Sequence, residues 1–362
     1  MKITAVRTAR VSVPFDQPIR TAIHHIDSVQ CLLVWLDTDE GISGESYLFA
    51  FNAKRVKVFE AMVASLAELA IGADPHDTQR LWKRMFADIN FYGHKGVSIF
   101  ALSALDWACW DIVGKACGQP VHKLLGACRD RILAYASGGL WLSRDIPALI
   151  AEAKGFVAQG FKAVKMRLGK PDFGEDVERA AAVREAIGPN IKLMADANQG
   201  LSVNQAIRLG RALEPYRLDW FEEPVQAYDL AGSARVAAEL DTPIASGETE
   251  YTRYGFQDML ERKAADILMP DLQRVGGVSE FMKVAHMAEA LDVPISPHIF
   301  TEQSLQLCGA IANCPITEHM PWFGKLFNEP MEMVEGELLI PNRPGMGFTF
   351  AADLVQRYRA PN

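Results

Sequence analysis

The pattern of apolar and polar residues divides the chain near residue 125. In the first part, VQCLLVWLDTDEGISGES is typical of two strands joined by an Asp-Glu-Gly turn, and HDTQRLWKRMFAD and VSIFALSALDWACWDIVGKACG have helical periodicity. Strands followed by helices are typical of a compact α+β unit. We therefore predict an α+β domain over residues 1–125.

From residue 126 to 325, short apolar strands alternate with amphipathic segments such as GEDVERAAAVREAIG. Eight strands are predicted, in ILAYAS, FKAVKMR, IKLMAD, LDWFEE, PIASGE, DILMPD, PISPH and PITE. Eight such units close into a barrel. The tail, residues 326–362, returns to strand and turn signals, so we expect it to pack back on the first domain. The predicted fold class is α/β: a modified (β/α)8 TIM barrel with a discontinuous α+β capping domain.

Composition and charge exclude some classes of function and partner. The net charge of −8, with no compensating basic run, argues against a nucleic-acid surface. The six cysteines form no CxxC pair, which favours reduced thiols and a cytoplasmic protein. The N-terminus alternates like a strand rather than a signal peptide, and no apolar run suits a membrane span. We expect a small-molecule substrate, no nucleic-acid or membrane partner, and a homo-oligomer.

Three acids end successive predicted strands: Asp196, Glu222 and Glu248. The carboxyl ends of barrel strands form the active-site face, so these side chains should converge there. Each acid alone would more often be a helix cap or a solvated loop residue. Three like charges in register need a cation, and an oxygen-only ligand set favours Mg2+ over zinc.

The remaining strand ends carry acid–base candidates. Asp271 and His298 lie on the next two strands, where the carboxylate can fix the imidazole tautomer and raise its basicity. Glu318 ends the last strand and, if protonated, can donate a hydrogen bond to an oxyanion. Lys165 and Arg167 are two residues apart on strand 2, so their side chains lie on the same face of the strand. We expect negative charge on that face. This set suits removal of a proton α to a carboxylate.

The chain resembles the enolase superfamily, in particular its mandelate racemase branch. The resemblance rests on ALSALDWACWDIVGKACGQPVHKLLG and on VKMRLG, MADANQG, FEEP, GE, PDLQRVGG, SPH and PITE in family order. It implies an enolase-type barrel under a capping domain and Mg2+ bound by Asp196, Glu222 and Glu248. It also implies an Asp271/His298 dyad, Glu318 facing the substrate carboxylate, and Asn198 near the metal.

The sequence departs from that family pattern at Arg167, where relatives usually have a second basic lysine. A guanidinium stays protonated and is a poor proton acceptor. Racemisation needs an acid–base group on each face, whereas dehydration can use His298 alone. We therefore predict a hydro-lyase, a sugar-acid dehydratase, with Lys165 as a second acid–base candidate. The alternatives are an epimerase, a lactone cycloisomerase, or a sugar-acid binding protein without catalysis.

The resemblance also implies that substrate specificity resides largely in the loops of the capping domain. The candidates are His24 and His25 in IRTAIHHID, Tyr47 in GESYLFAFN, and Trp141 after the first barrel strand. Polar loops would suit a polyol acid better than an aromatic one. His94 and Lys95 are candidates for binding a distal carboxylate.

Overall fold

A three-stranded antiparallel sheet begins the fold in the computed structural model, which describes residues 1–20 and 25–360. Its strands run in sequence order, and the central strand has buried residues on both faces. Leu32, Val34 and Leu36 pack against the capping helices, whereas Cys31 and Leu33 pack against the barrel core. This double burial explains the continuous apolar run in CLLVWL. The strands are β1 (Ile3–Arg20), β2 (His25–Thr38) and β3 (Ser43–Ala50).

Helices cover the outer face of this sheet. The longest one is apolar enough to cross a membrane, but most of its length is buried as the central helix of the capping domain. Gly44 of β3 lies against this helix so closely that a Cβ would meet the carbonyl oxygen of Ala108 at 2.0 Å. The helices are α1 (Ala53–Ala70), α2 (Thr78–Asp88), α3 (Val97–Ala116) and α4 (Val121–Leu124).

The barrel strands pair in parallel in sequence order, and the last strand pairs with the first. They are β4 (Arg131–Ala136), β5 (Ala163–Arg167), β6 (Lys192–Asp196), β7 (Trp220–Glu222), β8 (Ile244–Ser246), β9 (Ile267–Leu268) and β10 (Ile316–His319). The predicted strand in PISPH is not a regular strand. It occupies that position through two isolated bridges, Leu268 to Ile295 and Asp271 to His298. The prolines in PISPH remove backbone donors, which explains the difference.

Helices alternate with these strands and surround the barrel. Several begin at side-chain caps that the sequence supplies, such as Asp172, Asp229 and the capping box of Ser202. They are α5 (Ile146–Ala158), α6 (Phe173–Ile187), α7 (Val203–Leu213), α8 (Leu230–Glu239), α9 (Thr252–Glu261), α10 (Leu272–Val275), α11 (Val278–Glu289) and α12 (Thr301–Cys308). The architecture confirms the predicted α/β fold class.

The C-terminal segment contacts both parts of the molecule. It contains β11 (Met333–Val334), β12 (Glu337–Leu339) and α13 (Ala352–Arg357). Strand β12 pairs antiparallel with the start of β4. Further on, Phe350 donates its N–H to Glu45 and lies edge-on to Trp35 of the capping sheet. The boundaries at 125 and 325 stay a prediction.

Candidate active site

Strand register brings charged residues together at the carboxyl ends of the barrel strands. Arg167 is paired in register with Asp196, and Asp196 is paired in register with Glu222. A cavity lies above this row, between the barrel and the capping domain. The convergence follows from the parallel pairing of short strands that all end at one face.

Lys165 lies at the bottom of the site and is almost completely buried. Its Nζ is 2.5 Å from Glu222 Oε1 and 3.1 Å from Glu318 Oε1, and it lies 5.3 Å from the centre of the Tyr135 ring. Burial lowers the pKa of Lys165, but the charges of Glu222 and Glu318 outweigh burial and raise it above its ordinary value. The side chain is therefore an ammonium ion held by two carboxylates.

Arg167 is fixed by three different groups. Its Nη2 donates to Ser137 Oγ at 3.0 Å, and its Nε is 3.3 Å from Asp196 Oδ2. The guanidinium also lies 4.5 Å from the centre of the Trp141 ring, in cation–π geometry. Lys165 and Arg167 point to the same side of β5, as alternation predicts, and both meet negative charge there.

The three predicted metal ligands occupy one region but contact different cations. Asp196 lies beside Arg167, Glu222 beside Lys165, and Glu248 Oε2 is 3.3 Å from His298 Nε2. Among residues 1–20 and 25–360, no three His, Cys, Asp or Glu side chains are placed to hold a metal ion together. The assignment of these ligands stays a prediction.

The charges of the site nevertheless fit a divalent cation. Burial raises the pKa of Glu222 to about 7; Lys165 opposes this, and Asp196 adds to it by repulsion. Burial and the charge of Glu248 also raise the pKa of Glu223, the next residue in FEEP. Buried oxygens of Glu223 and Asn198 have no hydrogen-bond partner. This surplus of carboxylate oxygens is the donor set that Mg2+ prefers.

Glu222 does not line the cavity, whereas Glu223 does. Glu222 Oε1 faces Lys165 below the cavity, and its Oε2 accepts a hydrogen bond from Trp220 Nε1 at 2.9 Å. The attraction of the buried ammonium explains this inward position. The sequence analysis chose Glu222, the first acid of FEEP, and the motif held no signal that Glu223 is the one that lines the cavity.

Asp271 and His298 form the predicted hydrogen-bonded pair. Asp271 Oδ2 is 2.8 Å from His298 Nδ1, and its Oδ1 accepts the N–H groups of Gln273 and Arg274. Burial lowers the pKa of His298, but the charges of Glu248 and Asp271 outweigh burial and raise it to about 9. Its Nε2 faces the cavity and carries a proton at neutral pH in this arrangement. A cation that neutralised Glu248 would favour loss of that proton.

Glu318 differs from the sequence prediction. The sequence analysis considered that Glu318, if protonated, could donate a hydrogen bond. Burial raises its pKa, but Lys165 and His298 outweigh burial and lower it to about 2. The carboxylate instead accepts the N–H of Ile299 at 2.6 Å. The two buried cations that face it, which crowding arguments did not include, keep it ionised.

The predicted substrate contacts are only partly found at the cavity. Trp141 and Asn198 line it. Tyr47 does not, because it is buried among the rings of Trp107, Phe300 and Phe323. His25 is exposed with its Nε2 3.3 Å from Asp27, and the neighbouring Ile26 lines the cavity instead. His24 lies outside the described residues.

Sequence reasoning missed several residues that line the cavity. The polar ones are Gln199, Glu223, Thr249 and Arg274, and the apolar ones include Ile26, Phe51, Met320 and Trp322. Gln199 Nε2 donates to Glu223 Oε2 at 2.7 Å, and Arg274 Nη1 to Asp271 Oδ2 at 2.8 Å. Most of them lie within four residues of a predicted site residue, and this proximity was the available signal.

Comparison with known proteins places this site in a family. Residues 3–126 match the model of the mandelate racemase / muconate lactonizing enzyme N-terminal domain, and residues 148–354 match the enolase C-terminal domain-like model. The chain belongs to this family. The resemblance to the enolase superfamily is thereby confirmed.

Relatives in this family match nearly the whole length of the chain. The chain is 36% identical to D-galactarolactone cycloisomerase of Agrobacterium fabrum over 100% of both chains. It is 33% identical to arabinonate dehydratase of Saccharolobus solfataricus over 90% of this chain and 89% of that one. The crystal structure of L-talarate dehydratase from Polaromonas sp. JS666, complexed with Mg and L-glucarate, superposes with a TM-score of 0.94. It is 34% identical and covers 99% of this chain and 98% of its own.

Proposed function

We propose that this protein is a Mg2+-dependent hydro-lyase that dehydrates a sugar acid to a 2-keto-3-deoxy acid. One observation carries the proposal. The His298 imidazole, held by Asp271, faces a cavity whose opposite cation is Arg167, a group that cannot accept a proton. Lys165 also lines the cavity but is held as an ammonium ion by Glu222 and Glu318. We therefore infer that His298 is the one proton-transferring base among the described lining residues, as dehydration needs, and that these residues lack the second base that racemisation requires.

The substrate carboxylate would bind beside Arg167, on the side of the cavity that faces His298. Asp196, Glu222 and Glu248 would hold Mg2+, which fits the oxygen donors and the surplus of negative charge there. When bound, the ion supplies positive charge that stabilises the enediolate formed from the carboxylate. The magnesium of the talarate dehydratase structure supports the choice of metal.

His298 has two successive roles in this proposal. Its Nε2 removes the proton from the carbon α to the carboxylate, and Asp271 stabilises the resulting imidazolium through Nδ1. The imidazolium then returns that proton to the 3-hydroxyl, and the C3–O bond breaks to release water. The enol product tautomerises to the 2-keto acid. Lys165 stays protonated between Glu222 and Glu318 and acts as an electrostatic support rather than a base.

A panel of acid sugars with Mg2+ tests the proposal. We expect at least one to give a semicarbazide-reactive 2-keto acid and to lose the mass of water. His298→Asn should abolish this product while the melting temperature stays near that of the wild type. Full activity in His298→Asn would refute the role of the dyad. Solvent deuterium entering Cα separates an enzyme from a binding protein, because a binding protein cannot exchange that proton.

Lactone cycloisomerisation is the second candidate, because the cycloisomerase relative matches the full length of the chain. That reaction begins with the same removal of an α-proton and also needs only one base. The product mass distinguishes the two reactions. An isomer of unchanged mass formed from a sugar lactone would favour the cycloisomerase, and loss of water from an open-chain acid favours the dehydratase.

A further inference from the structure

The cavity has two chemically different sides. The strand ends and the residues next to them supply its polar side, where Asp196, Glu248 and His298 lie. The other side is formed by four rings that we call the aromatic wall: Phe49, Phe51, Trp141 and Trp322. A substrate bound by its carboxylate at the polar side must place its distal end near this wall.

The aromatic wall is a packed unit. Trp141 and Trp322 are stacked, with ring centres 6.2 Å apart and planes at 18°. Phe51 is edge-on to Trp322 at 6.0 Å, and Phe49 is edge-on to Phe51 at 5.6 Å. Phe49 and Trp141 are each only 4% exposed, so these faces are held in place by their neighbours. Such a surface favours carbon–hydrogen groups and gives a carboxylate no partner, because the ring faces carry partial negative charge.

The cations that line the described part of this cavity all have acidic partners, and Arg167 in addition lies over the Trp141 ring of the aromatic wall. Lys165 pairs with Glu222 and Glu318, Arg167 with Asp196, and Arg274 with Asp271. A second carboxylate on the substrate would therefore need a further cation, and the described residues that line this cavity do not include one.

The two earlier candidates for a distal carboxylate lie elsewhere. His94 and Lys95 line a separate cavity with Phe86 and Tyr251. Lys95 Nζ is 3.0 Å from Glu250 Oε1, and His94 is stacked on Phe86 with ring centres 3.8 Å apart. The structure gives them no position beside the aromatic wall.

We propose that the site selects a sugar monocarboxylate with an uncharged distal end and discriminates against the corresponding dicarboxylate. This inference rests on the proposed function. The aromatic wall accepts a terminal methyl group at least as well as a hydroxymethyl group, because an apolar surface discriminates only weakly for or against one hydroxyl. The site thereby differs from that of the talarate dehydratase, which was crystallised with L-glucarate, a dicarboxylate.

Matched substrates test the proposal on the wild-type protein. For each sugar configuration, the aldonate, its 6-deoxy analogue and the aldarate differ only at the distal carbon. We expect kcat/KM for keto-acid formation to be at least about 100-fold higher for the two monoacids, since an unpaired charge costs several kcal/mol. An aldarate converted as well as its aldonate overturns the proposal.

Binding provides a second readout that does not depend on turnover. Calorimetric titration of Mg2+-loaded protein should show tighter binding of the aldonate than of the aldarate. If no set of aldonate, 6-deoxy analogue and aldarate yields a keto acid, the proposed function fails. The titration still shows whether the site prefers the monoacid or the diacid. A diacid preference that disappears in His24→Ala overturns the proposal and assigns the distal contact to that histidine.

Adding a cation to the aromatic wall should reverse the preference. Phe51→Arg places a guanidinium at the half-exposed edge of the wall, and we expect kcat/KM for the aldarate to rise at least tenfold. The matched control is Phe91→Arg, the same change at a ring that is 91% exposed on the capping domain outside this cavity. Equal behaviour of the two variants in aldarate turnover, with unchanged melting temperatures, contradicts the proposal.

Discussion

The substitution Asp271→Asn tests the contribution of the dyad to catalysis. Asp271 is the N-cap of α10, and its Oδ1 accepts two backbone N–H groups, from Gln273 at 2.9 Å and from Arg274 at 3.0 Å. These donors would hold the oxygen of an asparagine in the same place. The amide nitrogen must then take the position of Oδ2 and point at His298 Nδ1, which is 2.8 Å away.

This geometry gives the expected size of the effect. Losing a hydrogen bond to a charged group costs about 1.5–3 kcal/mol, or roughly 10- to 150-fold in rate. In addition, an amide N–H that donates to Nδ1 selects the tautomer with its proton on Nε2, so the imidazole cannot accept the substrate proton. General acid–base catalysis contributes about 10²- to 10⁴-fold. We expect kcat to fall by about 10²- to 10⁴-fold, with KM changed much less.

The assay is keto-acid formation at saturating substrate, together with a thermal melt. The melting temperature should fall by more than in the control below, because asparagine caps a helix about as well as aspartate but its amide nitrogen, at the position of Oδ2, cannot accept the hydrogen bond from Arg274 Nη1. Asp229→Asn is the matched control: Asp229 caps α8, accepts the Gly232 N–H at 2.8 Å, and does not line the cavity. Asp229→Asn should keep wild-type turnover. A kcat for Asp271→Asn within threefold of the wild type would refute the reasoning.

Three further changes test the charges around the site and a carboxyl group nearby. Arg167→Lys should lower the rate of dehydration about 10- to 100-fold, since lysine loses the Ser137 and Trp141 contacts. It should also add epimer formation. An unchanged product mixture would contradict the inference that Arg167 is what prevents racemisation. Chelation of Mg2+ should abolish turnover. Mg2+ at a hundred times its Kd should raise the free energy of unfolding of the wild type by about 2.7 kcal/mol, and that of Glu248→Gln far less. An unchanged free energy of unfolding in the wild type would contradict a metal site. Burial raises the pKa of Glu302 to about 7, so the stability present below its ordinary value near 4.5 is lost as pH rises through 7. In urea titrations, Glu302→Gln should therefore gain at most about 3 kcal/mol at pH 8 and little at pH 4, whereas exposed Glu185→Gln should gain nothing at either pH.

The barrel and the position of its charged residues could be predicted from the sequence because both depend on local patterns. Alternation on β5 fixed the common direction of Lys165 and Arg167, and the spacing of strand ends brought Asp196 close to Glu222. The Asp271 and His298 contact also follows from neighbouring positions in the barrel.

What failed depends on contacts between distant segments. The sequence analysis placed Tyr47 in a substrate-binding loop. It lies on β3 instead and is buried against Phe300 and Phe323, which are distant from it in the sequence. The charge state of Glu318 depends on two cations from different parts of the barrel, Lys165 and His298, and counting the neighbouring acids alone could not include them. The aromatic wall joins the capping domain to barrel loops and had no single sequence motif.

The pairing of the C-terminal segment with both halves of the molecule has a consequence for synthesis. Ser12 of β1 donates its N–H to the carbonyl of Tyr358, and Ala360 donates its N–H to the carbonyl of Arg10, so one edge of the capping sheet is completed by residues that are translated after the whole barrel. Until those residues leave the ribosome, that edge has unpaired backbone groups, which is a known risk for aggregation. A nascent chain stalled shortly before residue 337 would thus carry a full barrel sequence beneath an unfinished cap.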